Sequence, residues 1–189
     1  MLRMTIKGYD LVFKTDPKLF SPLDLDAGTA AMLSLVKFTK GQRVLDLGCG
    51  YGVVGIVAAK IVGEQNVVMI DQDPLAVHFA RENASLNLVP RVRVYESDGF
   101  TSVDDTDFEL ILSNPPYHTD FAVPKTFIEK GFNRLVMGGR MYMVTKRHKW
   151  YKNKFVAIFG GVQTREIDGY YVFMAEKRST QYANRRERV

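Results

Sequence analysis

The chain has 189 residues, is 46% hydrophobic and carries a formal net charge of +5. That is enough chain for one domain with a real core, and no apolar run nears the ~18 residues that a membrane span needs. The single cysteine, Cys49, excludes an internal disulfide and a cysteine-based metal cluster, while the basic balance favours an anionic partner, nucleic acid first.

The first residues alternate apolar with polar and lack a signal-peptide core. A cytoplasmic protein is expected. Residues 5–7 and 11–13 predict a small hairpin interrupted by Gly8-Tyr9-Asp10. Asp16-Pro17 and Ser21-Pro22 mark a loop. Met32, Leu33 and Val36 recur at helical spacing, so a helix is expected over 28–38, ended by Lys40-Gly41.

From residue 43 the pattern becomes strand, turn, helix in repetition. Residues 43–47 form a short strand, 53–62 a helix apolar almost all round, and 67–71 a strand apolar throughout, as parallel strands are. Pro74 opens the next helix, where its missing N–H costs nothing. Strands follow at 91–95 and 108–112, then a helix ending at Gly138-Gly139, a strand at 141–144 and a short helix near 150–159. Strands at 162–167 and 170–176 are joined by Asp168-Gly169, too short for a crossover, so they form an antiparallel hairpin. The expected class is α/β, a mostly parallel sheet with helices on both faces. One domain over 1–176 and a basic tail over 177–189 are expected, the tail holding Lys177, Arg178, Arg185, Arg186 and Arg188 against Glu187.

Gly48-x-Gly50-x-Gly52 follows a strand and opens a helix. Glycines there permit positive φ and let a ligand touch the backbone, beside the free N–H groups of a helix start. A dinucleotide fingerprint needs Gly or Ala where this chain has Val53. Asp46 before the loop would repel a pyrophosphate and attract a cation. Asp71, ending the next strand, suits ribose hydroxyls. The site therefore suits an adenosyl group with a positive, phosphate-free end. Gln72 follows Asp71, and Asp73 reads as the N-cap before Pro74.

Asn114-Pro115-Pro116-Tyr117 closes the strand at 108–112, because Pro-Pro cannot continue it. Alone, this is also what an Asn-initiated turn looks like. After a cofactor loop, it is an arm that holds a planar amine.

Val44-Leu45-Asp46-Leu47-Gly48-Cys49-Gly50-Tyr51-Gly52 resembles motif I of class I S-adenosylmethionine-dependent methyltransferases. Ser113-Asn114-Pro115-Pro116-Tyr117 resembles their motif IV in enzymes that methylate planar amines. With Phe20-Ser21-Pro22 and Asp26-Ala27-Gly28-Thr29 upstream, the chain is similar over residues 10–176 to the small methyltransferase domain of ribosomal RNA guanine-N2 methyltransferases. The resemblance implies a Rossmann-like seven-stranded sheet of order 3-2-1-4-5-7-6, strand 7 antiparallel, preceded by the hairpin. It implies S-adenosyl-L-methionine as cofactor. Asp46, Gly48 and Gly50 fall to its methionine end, Asp71 to its ribose and Asp98 to its adenine amine; Cys49, Gln72, Gly99, Gly28, Thr29 and Asn114 are also expected to bind it. Asn114, Pro115 and Tyr117 are the expected catalytic residues: two oxygens accept the amine N–H bonds and the ring stacks on the substrate. Pro116, Tyr117, His118 and Phe121 extend the substrate pocket. Related guanine-N2 enzymes often carry a second, inactive copy of the domain, for which this chain has no room.

Arg140, Lys146, Arg147, Lys149, Lys152 and Lys154 lie in a stretch without acids, interleaved with Tyr142, His148, Trp150 and Tyr151. Cations among aromatics suit single-stranded RNA, so Lys146, Arg147, Lys149 and Trp150 join the expected substrate surface. No metal site is expected. The leading expectation is methylation of guanine N2 in ribosomal RNA by a monomer or homodimer. Adenine N6 in RNA or DNA, protein glutamine N5, and a non-catalytic RNA-binding role stand as alternatives.

Overall fold

A computed structural model describes residues 1–116 and 120–186, the last two by their backbone alone. Strand β1 (Leu2–Ile6) pairs antiparallel with β2 (Tyr9–Phe13). Then follow α1 (Ala27–Leu35), β3 (Val44–Leu47), α2 (Val53–Val62), β4 (Val67–Asp71), α3 (Pro74–Leu86) and β5 (Arg93–Glu96). The chain continues through β6 (Phe108–Ser113), α4 (Ala122–Arg134), β7 (Leu135–Thr145), α5 (Lys149–Phe159), β8 (Gln163–Ile167), β9 (Tyr170–Glu176) and α6 (Ala183–Arg186). The large sheet has seven strands in the order β5-β4-β3-β6-β7-β9-β8. Only β9 runs against its neighbours β7 and β8, so the expected Rossmann-like order with its antiparallel strand is the observed one.

Side-chain alternation assigns the two faces of this sheet. Val44 of β3 and Met69 of β4 pack with α1, α2 and α3 in one core. Leu45, Leu47, Val68 and Ile70 pack with α4 and α5 in the other. Burial on both faces explains why these strands read as continuous apolar runs. The carboxylate of Asp46 therefore lands on the face covered by α2.

Both two-residue hairpin turns place two residues at positive φ. Lys7 and Gly8 have φ of 50° and 82°, and Asp168 and Gly169 have 50° and 78°, as the turn that matches strand twist requires. The first turn is thus Lys7-Gly8, and Tyr9 and Asp10 belong to the strand, not to an interruption. Helix α1 stops at Leu35, a turn before 38, because Val36 is extended and buried.

The largest departure lies after α4, expected to run to Gly138-Gly139. It stops at Arg134, and Leu135 already pairs with Phe108. The glycines form a bulge in β7: a Cβ on Gly139 would lie 2.9 Å from the Val136 carbonyl and 3.0 Å from that of Phe108. Lys177 closes the bulge, with backbone bonds in both directions to Gly138 and Gly139. Its Nζ donates to the Leu135 carbonyl at 2.8 Å and lies over the Phe132 ring. Tyr182 sets its ring edge-on to Phe132 and donates its hydroxyl hydrogen to the Glu129 carbonyl at 2.9 Å. The start of the basic segment is therefore packed on α4. Among the described residues no helix is long and apolar enough to cross a membrane.

Two asparagines tie the N-terminal hairpin to the sheet domain. The Asn87 side chain makes both backbone bonds of Val12, at 3.0 and 2.8 Å. Asn83, fully buried, does the same for Lys14 and also donates to the Tyr51 carbonyl at 2.9 Å. A primary amide carries one donor and one acceptor end, as a backbone unit does, so α3 serves as a false neighbouring strand.

Candidate active site

A cavity of about 240 Å³ opens at the C-terminal ends of β3, β4, β5 and β6, with residues 18–21, 25 and 26 in its lining. That is where ligands bind in open α/β sheets. Three glycines shape its floor. Gly48, Gly50 and Gly52 have φ of 77°, 54° and 98°, and the Gly48 and Cys49 N–H groups both donate to the Ile70 carbonyl. Asp71 holds the middle of the loop, its Oδ2 accepting from Gly50 N–H at 2.8 Å and its Oδ1 from Asp73 N–H at 3.0 Å. Gly52 adds close helix packing, since a Cβ there would meet Ile56 and Ala80 at 3.2 and 3.4 Å.

Asp46 is 2% exposed and accepts the Gly55 N–H at 2.8 Å. Gly55 has no room for a side chain: a Cβ would lie 2.2 Å from Met69 Sδ. Burial raises the Asp46 pKa from 3.8 to about 7, the Gly55 N–H opposes this, and nearby Asp71 adds to it. A raised folded pKa means that the folded protein holds a proton between pH 4 and 7 that the unfolded chain has lost. Stability of the ligand-free protein should therefore fall as pH rises through that window, by about 4 kcal/mol from this group, and level off above it. Denaturation of wild type and Asp46→Asn from pH 4 to 8 checks this: the difference between them should carry the slope. Burial, then Asp46 and Asp71, likewise pushes up the Cys49 thiol, so Cys49 lines the cavity as an uncharged group.

Five aspartates line the cavity, Asp26, Asp46, Asp71, Asp73 and Asp98, against one cation, Lys18. Leu19, Val54, Ile70 and Phe127 supply apolar walls. In a chain of net charge +5, this pocket is acidic. It disfavours phosphate and favours a ligand with a cationic end and an apolar body.

Asn114 sits at the rim, beyond β6. Ser113 locks the strand end by donating to the Leu47 carbonyl at 2.7 Å. The Asn114 amide nitrogen donates to Asp26 Oδ2 at 2.8 Å and to Thr29 Oγ1 at 3.0 Å. Its Oδ1 is buried and has no hydrogen-bond partner among the described residues. An acceptor buried this way costs about 1–3 kcal/mol, so the rim is prepared for an N–H donor. Pro115 is buried beside it and Pro116 is exposed.

Of the residues singled out from sequence, Thr29, Asp46, Gly48, Cys49, Gly50, Asp71, Gln72, Asp98, Gly99, Asn114, Pro115 and Pro116 meet in this cavity. Gly28 does not line it. A Cβ there would lie 2.8 Å from the Tyr170 ring, so its smallness serves packing of α1 on β9. Tyr117 and His118 lie outside the described residues.

The basic surface is elsewhere, and smaller than its sequence suggests. Arg140 pairs with Glu176 and Lys154 with Glu129, acids contributed by β9 and α4. Tyr151 is 1% exposed, and Tyr142 packs on the α1 side of the sheet. Lys146 lies over the Tyr170 ring. Phe121, Arg147, Lys149 and Trp150 line a separate shallow depression with Asn153. There Trp150 stacks on Phe121 at 4.4 Å and the Arg147 guanidinium lies 4.9 Å from the same ring.

Sequence reasoning overlooked Asp26 as a site residue, along with Lys18, Phe20, Tyr51, Ser97 and Phe127. Asp26 had a local signal, an acid three residues before Thr29 at a helix start. Nothing local shows that the same carboxylate reaches Asn114. Among the described residues, no group of three or more His, Cys, Asp or Glu is placed to hold a metal ion.

Comparison with known proteins adds to this geometry. The family described as methyltransferase small domain matches residues 10–174. The uncharacterized protein YbxB of Bacillus subtilis is 29% identical over 178 residues, covering 91% of this chain and 89% of its own. Ribosomal RNA large subunit methyltransferase G of Pseudomonas entomophila is 36% identical over 146 residues, covering 74% of this chain and 39% of its own. Among solved structures, the 16S rRNA N2 G methyltransferase RsmC of T. thermophilus, in complex with AdoMet and guanosine, superposes with a TM-score of 0.85 at 26% identity. The match covers 94% of this chain and 50% of that one. The chain thus spans half or less of the length of the two rRNA methyltransferases it resembles.

Proposed function

This chain belongs to the methyltransferase small domain family, and on that premise we propose that it methylates an exocyclic amine of an RNA base with S-adenosyl-L-methionine, guanine N2 of ribosomal RNA first. The observation that carries the reading is the Asn114 amide, tethered by its nitrogen and presenting at the rim of an acidic cavity a buried oxygen with no partner among the described residues. Relatives named as rRNA methyltransferases support it, one of them solved with AdoMet and guanosine.

The residues present fit the cofactor. Its bound form would supply an electrophilic methyl group on a cationic sulfur. Asp46 and the acidic lining favour that charge, and a bound cation draws the Asp46 pKa down, so affinity rises with pH through about 7. Asp71 spends two acceptor positions on Gly50 and Asp73 and keeps others for ribose hydroxyls. Asp98 and Gly99 close the adenine end.

The substrate side follows from the rim. The amine nitrogen has its lone pair delocalised into the base. Asn114 Oδ1 and the Pro115 carbonyl accept its two N–H bonds and aim that lone pair into the cavity. Alignment of this kind removes several kcal/mol from a barrier. Tyr117 stacks on the base, worth about 1–3 kcal/mol, and a paired base is first flipped out. Phe121, Trp150, Arg147 and Lys149 receive the flanking strand; His118 and Lys146 extend this surface. The protein acts in the cytoplasm as a monomer or homodimer on ribosomal RNA, through the single domain of residues 1–176 and the basic segment after it.

Incubation with tritiated S-adenosyl-L-methionine and deproteinised ribosomal RNA tests the reading. Label should enter RNA and be lost in Asn114→Ala. Label appearing in protein alone overturns it.

A further inference from the structure

The side chain of Asp26 does two things at once. It is the N-cap of α1, its Oδ2 accepting the Thr29 N–H at 2.7 Å. The same oxygen accepts the Asn114 amide nitrogen at 2.8 Å, across 88 residues of sequence. An ionised carboxylate only accepts hydrogen bonds, and a primary amide has one donor end and one acceptor end. The contact is therefore satisfied in one orientation of the amide. The second amide hydrogen is taken by Thr29 Oγ1 at 3.0 Å. With both hydrogens used, Oδ1 is the end turned away from Asp26, and it is the one buried side-chain nitrogen or oxygen among the described residues that lacks a partner.

We infer that Asp26 is a positioning residue, which locks the Asn114 amide with its acceptor toward the incoming amine. Its consequence for turnover rests on the proposed function; the orientation itself does not. Without the lock, the amide is free to rotate by half a turn and present N–H groups to an amine that needs acceptors. The cap is thus the device that makes motif Asn114 an acceptor, and it ties the start of α1 to the rim.

The test separates capping from orientation. Serine caps helices as well as aspartate, so Asp26→Ser keeps α1. Its hydroxyl both donates and accepts, so either end of the Asn114 amide can face it. Its kcat should fall at least tenfold, with the Kd for S-adenosyl-L-methionine changed by no more than a few-fold and the melting temperature near wild type. In the Asp26→Ser, Asn114→Asp double variant, the new hydroxyl donates to the new carboxylate, whose other oxygen again accepts the amine. That pair should regain at least fivefold over Asp26→Ser alone. An Asp26→Ser enzyme with wild-type kcat, or a double variant no better than the single, overturns the inference. A second readout needs no turnover. The Asn114 side-chain amide protons of wild type should be protected from solvent exchange in ¹H–¹⁵N spectra, and Asp26→Ser should lose that protection. Fast exchange in wild type sinks the inference whatever the activity. Protected protons in a wild type that methylates no RNA would uphold the orientation and sink the proposed function.

Discussion

Asn114→Ala should lower kcat for methyl transfer by about 100-fold to 1,000-fold or more, the range lost when one pre-organised polar partner of a reacting group is removed. Cofactor affinity should change by no more than a few-fold. Alanine removes the one oxygen that, among the described residues, is buried without a partner and leaves the glycine loop, which is held by Asp71 and Ile70, untouched. It also frees Asp26 Oδ2 from one of its two bonds, but the Thr29 N–H remains to anchor it. Folding should therefore survive, and a circular-dichroism melt within a few degrees of wild type would show that the loss is chemical. Single-turnover kinetics with saturating RNA and cofactor measure the step. A variant with wild-type kcat would remove Asn114 from the mechanism.

Asp71→Ala should act on the other half of the site, weakening cofactor binding about 100-fold or more. This carboxylate accepts the Gly50 N–H at 2.8 Å and the Asp73 N–H at 3.0 Å. Hydrogen bonds to charged groups contribute about 1.5–3 kcal/mol each, and here they hold a loop whose middle residue has a φ of 54°. Alanine unties that loop and takes away the acceptor assigned to the ribose. Isothermal titration with S-adenosyl-L-methionine reads the effect, with Asn114→Ala as the variant that should still bind. Asp71→Asn separates the two roles: an amide oxygen can keep the Gly50 contact, so its loop should hold while its affinity remains lower than wild type. Unchanged affinity in Asp71→Ala would mean that the cofactor lies elsewhere.

Much of the fold was legible because local chemistry and tertiary role coincide. Helix α2 spans Val53–Val62 and β4 spans Val67–Asp71, as read, since Gly52, Gly63 and Pro74 punctuate them without competition. The short Asp168-Gly169 turn fixed β9 as antiparallel. The end of α4 was not legible: Gly138-Gly139 has the chemistry of a helix C-cap, and only the pairing with Lys177 and the close approach of the Phe108 carbonyl make it a strand bulge. Gly28 is expected at the cofactor only through the resemblance of its segment, and the cavity lining lacks it. The ring that it admits, Tyr170, comes from the far end of the chain.

The site divides in the same way. Asp46, the glycine loop and Asp71 are contiguous with the strands that carry them, so spacing locates them. The Asp26–Asn114 bond joins two loops far apart in sequence, and no pattern within either announces it. The basic surface is smaller than the acid-free stretch implies for a related reason: Glu129 and Glu176, which pair with Lys154 and Arg140, lie outside that stretch. What remains is a sharper division of charge. An acidic cavity lies at the strand ends, and Arg147 and Lys149 are exposed cations beside the Phe121–Trp150 stack.

The central claim is that this rim presents acceptors to an exocyclic amine of an RNA base. Mass spectrometry of nucleosides from ribosomal RNA methylated by the purified protein tests it most directly. The expected product is a base carrying one added methyl on its exocyclic nitrogen, N2-methylguanosine above all, and none from the Asn114→Ala enzyme. A methyl group on a ribose oxygen or a ring carbon, or its presence only on protein, would contradict it.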